Sequence, residues 1–135
     1  MEMSLELIQK LISKAIEQAS SEFKRPISVA ICDNYGLLVS FTRMPGATLR
    51  SVPISQAKAY TAAYMIMNTD AFSERLNREN VPASFFSDDR LTGLAGGAVL
   101  KNSTGEAIGA AGVSGLAPQE DQAIANMMAA LSQQG

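Results

Sequence analysis

The amino-acid sequence predicts an α+β sandwich, in which helices flank a central antiparallel sheet of about five strands. β-rich segments come in two consecutive pairs joined by short turns, at residues 27–42 and 98–113, and such pairs form antiparallel hairpins. Helical segments precede, separate and follow the two pairs, which gives the order α-β-β-α-α-β-β-α. This order is typical of helices layered on a sheet. Residues 91–94 are the candidate for a fifth strand.

Spacing and turn chemistry define the first three elements. Apolar residues at i, i+3, i+4 spacing over residues 8–19 predict a helix, with Ser4 as its N-cap. Two β-rich runs follow, at residues 27–32 and 37–42. The turn formers Asp33–Gly36 lie between these runs, so the sequence predicts a hairpin.

A helix rich in small apolar residues is predicted at about residues 53–67, with Ser51 as its cap. Because these residues are mostly alanine, we expect the helix to pack closely against a neighbouring element. Thr69 is predicted to cap a short helix over residues 70–76. The polar stretch from 77 to 90 is predicted to be a mobile loop.

The C-terminal third is punctuated by glycine. Gly96-Gly97 precede a predicted strand at residues 98–101, and a second strand is predicted at 107–113. Pro118 begins the final predicted helix. Asp121 lies in the first turn of that helix, where the helix dipole favours a negative charge.

Composition limits the functions open to this chain. Its 135 residues match the usual length of one domain, and we expect a single domain over residues 1–135. The net charge of −2 disfavours nucleic acid and anionic membranes as partners, because both require clustered Lys and Arg. No apolar run is long enough to span a membrane, and a single cysteine cannot form an internal disulfide. We therefore expect a cytoplasmic protein.

The absence of histidine from the sequence is the strongest exclusion. Without imidazole, the chain cannot build a Ser–His–Asp or Cys–His nucleophile or a His metal ligand. A zinc site would need several Cys or His ligands, so no metal site is predicted. Cys32 falls within a predicted strand, where a buried structural thiol is the commoner role.

Three separated stretches together resemble one known family. They are Ile31–Gly36 leading into Phe41–Ala47, then Ser51–Thr61, then Ile108–Gly115 followed by Glu120–Gln122. In this order and spacing they resemble the GlcG/HbpS/PduO C-terminal family, also called the haem-degrading or DUF336 domain family, over nearly the whole chain. The resemblance implies a profilin-like fold, homo-oligomers of dimer size or larger, and in some relatives a bound haem. Other relatives occur among genes for glycolate, diol or glycerol use.

The sequence departs from this family at two places. Gly96-Gly97-Ala98-Val99 stands where many relatives read Gly-Gly-x-Pro, so this loop is less rigid here. Relatives that bind haem can use histidine, so in this chain Cys32, a Met, a Lys or a Tyr would have to hold the iron. The sequence therefore leaves the cofactor undetermined: haem is possible, but no histidine of this chain can ligate it.

The Gly112-Val113-Ser114-Gly115 turn is the leading candidate for a ligand site. Glycines beside a short polar residue let backbone N–H groups approach a ligand, and the N-terminus of the following helix attracts anions. In the alternative interpretation, the glycines only permit a tight turn and close packing. Ser114 is disfavoured as a nucleophile, because no histidine is available as its base. The predicted ligand-binding set is Arg43, Lys58, Gly96, Gly97, Gly112, Ser114 and Gly115.

Three charged residues have two interpretations each. Arg43 would bind a carboxylate or propionate, or would form a structural salt bridge with Asp33 or Asp121. Lys58 would have a desolvated amine suited to carbonyl chemistry, or a stem that reaches water. Asp121 would act as a general base, or would anchor the Gly-Val-Ser-Gly turn.

These features favour a small-molecule-binding accessory protein of a catabolic pathway, with haem or another tetrapyrrole among the candidate ligands. One alternative is an enzyme acting on a small carbonyl or hydroxy acid, with Lys58 or Asp121 as acid/base and Arg43 as anion clamp. Another is an oligomeric assembly protein without catalysis.

Overall fold

The computed structural model describes residues 3–134 and has the predicted order of elements. Ser4 caps the first helix as predicted, since its hydroxyl accepts the Leu7 N–H at 3.1 Å. The elements are α1 (Leu5–Gln18) with a π-helical extension (Ala19–Phe23), β1 (Ser28–Cys32), β2 (Leu38–Arg43), α2 (Ser51–Met65), α3 (Thr69–Glu79), a 3-10 turn (Ala83–Phe86), β3 (Gly97–Lys101), β4 (Ala107–Ser114) and α4 (Pro118–Gln134). The α+β prediction is confirmed.

The sheet has the order β2-β1-β4-β3, and all neighbouring strands are antiparallel. Within residues 3–134 it has four strands, and residues 91–94 do not add a fifth. The N–H groups of Thr92 and Leu94 donate to the hydroxyls of Thr61 and Thr92, at 2.9 and 3.3 Å, rather than to a neighbouring strand.

The two faces of the sheet are packed by residues of different size. On one face, α1 and α4 cover large apolar side chains, including Val29, Ile31 and Leu100. On the other face, α2 lies on a layer of small residues such as Ala30 and Ala110. Small residues on both sides let α2 approach the sheet closely, as the alanine-rich helix predicted, and this close approach determines the geometry of the site.

Two predicted caps serve other purposes. Ser51 is already helical, and its hydroxyl bonds the Thr48 carbonyl oxygen at 2.6 Å and the Ser28 hydroxyl at 2.8 Å. Thr69 is the first residue of α3, and its hydroxyl accepts the Gly97 N–H at 2.7 Å. Both cap predictions are wrong, because long-range partners take the hydroxyls.

The stretch predicted as a mobile loop is attached to the helices beside it. Helix α3 continues to Glu79, and the Tyr64 hydroxyl donates to the Phe86 carbonyl oxygen at 2.7 Å. The Phe86 ring packs edge-on against Phe72, with 5.5 Å between ring centroids. None of the helices within residues 3–134 combines the length and apolarity that a membrane crossing requires.

Candidate functional site

Lys58 and Asp121 form a buried ion pair, with 3.1 Å between Nζ and Oδ2 and 3% of each side chain exposed. Lys58 Nζ also donates to the Val113 carbonyl oxygen at 2.8 Å. Asp121 Oδ1 accepts the Leu116 N–H at 3.0 Å. The pair therefore joins α2 to both ends of the β4–α4 turn, which is the geometry of an anchor.

Burial is the main influence on the pKa of both groups. Desolvation lowers the pKa of Lys58 from 10.5, and the Asp121 carboxylate opposes this shift. Desolvation raises the pKa of Asp121 from 3.8, and the Lys58 ammonium opposes it. An acid/base or imine-forming group must reach a substrate. In this protein the two groups bond each other and the backbone, enclosed by protein.

Three of the predicted ligand-binding glycines lie around this ion pair. At each of them, atoms of the protein already occupy the space that a side chain would need. A Cβ at Gly96 would lie 2.7 Å from Lys58 Nζ, and one at Gly97 would lie 2.6 Å from the Lys58 carbonyl oxygen. A Cβ at Gly112 would overlap the Ser55 carbonyl oxygen. The described packing thus gives these glycines the close-packing role, and their ligand-binding role stays a prediction.

The end of the Gly-Val-Ser-Gly turn is also enclosed. Gly115 has φ +134°, which favours glycine, and a Cβ there would lie 2.8 Å from the Pro26 carbonyl oxygen. Ser114 is 7% exposed and pairs with Ser28 across β1 and β4. Glycine is therefore required in this turn by the neighbouring backbone.

Arg43 lies apart from Lys58 and Asp121. It is exposed at the end of β2, and its Nη1 donates to the Ala47 carbonyl oxygen at 3.0 Å. Within residues 3–134 its guanidinium pairs with neither Asp33 nor Asp121. The salt-bridge prediction for Arg43 is wrong, since Asp33 accepts backbone N–H groups in the hairpin turn and Asp121 is taken by Lys58.

A cleft of about 490 Å³ lies between the β1–β2 hairpin and α2, and sequence reasoning missed it. It exists because α2 covers β1, β4 and β3 but leaves the inner side of β2 open. Residues 89–91 also line it. The lining residues are Cys32, Gly36, Leu38, Pro53, Gln56, Ala57, Tyr60, Asp89, Arg90 and Leu91.

Tyr60 joins three parts of the cleft. Its hydroxyl donates to the Asp88 carboxylate and accepts from the Arg90 guanidinium, which lies 4.0 Å above the ring centroid. Gly36, at φ +79°, abuts the same ring, where a Cβ would lie 2.6 Å from Cδ1. The hydrogen bonds from Arg90, then from Tyr60, lower the pKa of Asp88 to about 2. Asp88 therefore attaches residues 88–91 to α2 through Tyr60.

Comparison with known proteins identifies the family. A family model described as "Haem degrading protein HbpS-like" matches residues 3–130. The chain belongs to the HbpS-like family. It is 33% identical to Protein GlcG of Escherichia coli (strain K12) over 111 residues, which cover 80% of this chain and 81% of GlcG.

Two solved structures of HbpS-like relatives show the same fold. The crystal structure of the PduOC:haem complex is similar with a TM-score of 0.86 and 27% identity, covering 97% of this chain and 95% of that one. The crystal structure of HbpS gives a TM-score of 0.85 and 26% identity, covering 97% and 90%.

Haem in the PduOC relative raises the question of which side chains here fit haem iron. Among the residues that line the cleft, only Cys32 and Tyr60 carry an atom used by proteins to hold haem iron. Cys32 is 2% exposed, its thiol donates to the Ala59 carbonyl oxygen at 3.4 Å, and burial raises its pKa to about 12. The Tyr60 hydroxyl is held by Asp88 and Arg90. The cleft residues therefore do not fit haem ligation.

Proposed function

We propose that this protein binds a small organic molecule in the cleft between the hairpin and α2, and that it acts as an accessory protein rather than as an enzyme. The cleft itself carries the proposal. Its volume of about 490 Å³ and its lining of apolar residues with a few polar groups are typical of small-molecule sites. The apolar walls come from Leu38, Pro53, Ala57 and Leu91.

The arrangement of charged residues supports binding over catalysis. The enzyme alternative needs Lys58 or Asp121 to reach a substrate that Arg43 holds. Lys58 and Asp121 are instead enclosed and bonded to each other, while Arg43 lies at the exposed end of an edge strand. Within the described residues, Arg43 does not contact Lys58 or Asp121 through a hydrogen bond or an ion pair.

The test is a thermal-shift screen of neutral, cationic and anionic small molecules against matched variants. Leu38→Trp and Ala57→Phe fill the cleft from opposite walls, and Ala123→Phe places the same bulk on the exposed face of α4. We expect at least one compound class to stabilise the wild type and the Ala123→Phe variant, and both cleft variants to lose that shift. Equal shifts in all four proteins, or no shift with any class, would refute the proposal.

Haem is tested separately, because the likeness to PduOC makes it the named candidate. We expect hemin to keep a spectrum without the Soret shift of a protein-ligated iron, since Cys32 and Tyr60 are both engaged. A Soret shift in the wild type that disappears in Cys32→Ser or Tyr60→Phe would show that the protein ligates haem iron. The cleft would then be a haem site and not a site for other organic ligands.

The cellular role is the finer part of the proposal. We place the protein in the cytoplasm, in a catabolic pathway such as glycolate, diol or glycerol use, on the strength of the family resemblance. Growth of a deletion strain on each carbon source checks this. Normal growth on all three would remove the pathway assignment and leave the binding proposal to its own test.

We also propose that the chain forms homo-oligomers through the outer edge of β2. The sheet order leaves this edge unpaired; Leu38 and Val39 of β2 are exposed, as is Leu37 just before the strand. Unpaired edge strands with apolar side chains pair readily with another chain. Light scattering should show a dimer or larger species for the wild type and a smaller species for Val39→Lys. A monomer at all concentrations of the wild type would contradict this.

A further inference from the structure

We infer that the cleft takes a ligand whose head group donates hydrogen bonds and is cationic or neutral, carried on a small apolar body. The inference rests on the proposed function and assigns the chemical class of its ligand. Three features of the cleft carry it: the balance of charge, an amide without a protein partner, and the apolar walls.

The charge balance of the cleft is set by three neighbouring residues. Arg90 is neutralised by Asp88, because Nε and Nη2 both bond that carboxylate, at 3.2 and 3.0 Å. Asp89 lines the cleft, and within residues 3–134 its carboxylate has no ion-pair or hydrogen-bond partner. Cys32 and Tyr60 add no charge at neutral pH, because burial and the bond to Asp88, respectively, raise the pKa of each. The site therefore holds one uncompensated negative charge.

Gln56 supplies the second polar contact. Its side chain lines the cleft from α2, is half-buried, and makes no hydrogen bond to another residue of the described chain. An amide both donates and accepts, and a carboxylate only accepts. Together Gln56 and Asp89 match a head group with O–H or N–H donors, such as an ammonium or a hydroxyl.

The remaining lining suits an apolar body. Leu38, Pro53, Ala57 and Leu91 all line the cleft, and the cleft volume exceeds what a single aromatic ring needs. An anionic head group would meet the unpaired Asp89 carboxylate. Neither Arg43 nor Lys58, which the sequence suggested as cationic partners of an anion, lines this cleft.

Benzylamine, benzyl alcohol and benzoate test the inference, because they share one apolar body and differ only in the charge of the head group. We expect NMR titration to rank the affinities benzylamine, then benzyl alcohol, then benzoate, with shifts at Leu38, Gln56 and Leu91. Added salt should weaken the binding of benzylamine and leave the binding of benzyl alcohol unchanged.

The matched variants are Asp89→Asn, Gln56→Ala and Glu74→Gln, the last removing an exposed carboxylate from α3 outside the cleft. Because Asp89 is exposed, Asp89→Asn should weaken the binding of benzylamine roughly two- to fivefold, as expected for a surface charge pair, and should strengthen the binding of benzoate. Gln56→Ala should weaken the binding of benzylamine and of benzyl alcohol alike, and Glu74→Gln should change neither affinity.

The outcomes separate this inference from the proposed function. Binding in the cleft with benzoate preferred, or a ranking that Asp89→Asn leaves unchanged, overturns the ligand class and keeps the binding function. Shifts that persist in Leu38→Trp and Ala57→Phe overturn the site itself. Absence of shifts for all three probes up to their solubility limits overturns the inference, and the broader screen then decides the function.

Discussion

Replacing Asp121 by asparagine leaves Lys58 as a buried cation without its counter-ion. The substitution keeps the shape of the side chain, and Lys58 Nζ keeps only the Val113 carbonyl as a certain acceptor. Removing one partner of a buried ion pair destabilises a protein by about 3–5 kcal/mol. We expect a loss in this range, measured by urea unfolding as a lower midpoint at constant m-value.

The chemistry of Lys58 sets an upper limit on this loss of stability. The amine can escape burial of its charge by losing its proton, and at pH 7 this costs about 5 kcal/mol from an ordinary pKa of 10.5. In the variant the folded pKa lies below the unfolded value, so the unfolded state binds more protons between the two. Wild-type Lys58 also has a folded pKa below 10.5, so the stability deficit relative to the wild type should shrink as pH rises from the folded pKa of the variant to that of the wild type, by up to about 1.4 kcal/mol per unit.

Two controls distinguish this account from a general loss of packing. Lys58→Met with Asp121→Asn removes both charges and should be more stable than the sum of the single losses predicts. Glu17→Gln breaks the exposed pair with Lys14, at 3.5 Å, and should cost less than about 1 kcal/mol. A loss below about 1 kcal/mol for Asp121→Asn, or a deficit independent of pH, would refute the anchoring role.

Three further predictions concern packing, thiol reactivity and pH. Gly112→Ala should destabilise by about 3 kcal/mol in thermal unfolding, because the new Cβ overlaps the α2 backbone, whereas Gly105→Ala, with φ +84° in open space, should cost about 1 kcal/mol. Cys32 should not react with a thiol reagent at pH 8 until denaturant is added, since its pKa is about 12; rapid native labelling would contradict its burial. The bond from Arg90 to Asp88 should persist at pH 3.8, the ordinary pKa of a free Asp, and be lost as pH falls through about 2, seen as amide shifts in residues 88–91 centred near pH 2; shifts centred near pH 4 would show that the bond does not form.

Local chemistry was enough to predict most of the fold. The i, i+3, i+4 stripe of α1, the turn formers between β1 and β2, and Pro118 at the start of α4 each act within a few residues, and the structure has these elements. The predictions failed where a hydroxyl had a distant partner. Thr69 resembles a helix cap in sequence, but the N–H of Gly97, 28 residues away, takes its oxygen.

The candidate site was harder to predict, because it depends on contacts between distant segments. Sequence spacing suggested that Lys58 and Asp121 matter, yet only the fold shows that they bond each other across 63 residues. The cleft needs α2 to leave β2 uncovered and residues 88–91 to reach Tyr60. Nothing in the spacing of Asp88, Asp89 and Arg90 indicates that these residues meet Tyr60, although Tyr60 lies within a family motif.

A map of the backbone amide shifts caused by bound benzylamine tests the central claim most directly. If the ligand site is the cleft between the hairpin and α2, the perturbed amides will cluster at Leu38, Gln56 and residues 89–91, and those of Gly112–Gly115 will keep their positions. Perturbation centred on Gly112–Gly115, with the cleft amides unchanged, would contradict the account and return the site to the Gly-Val-Ser-Gly turn.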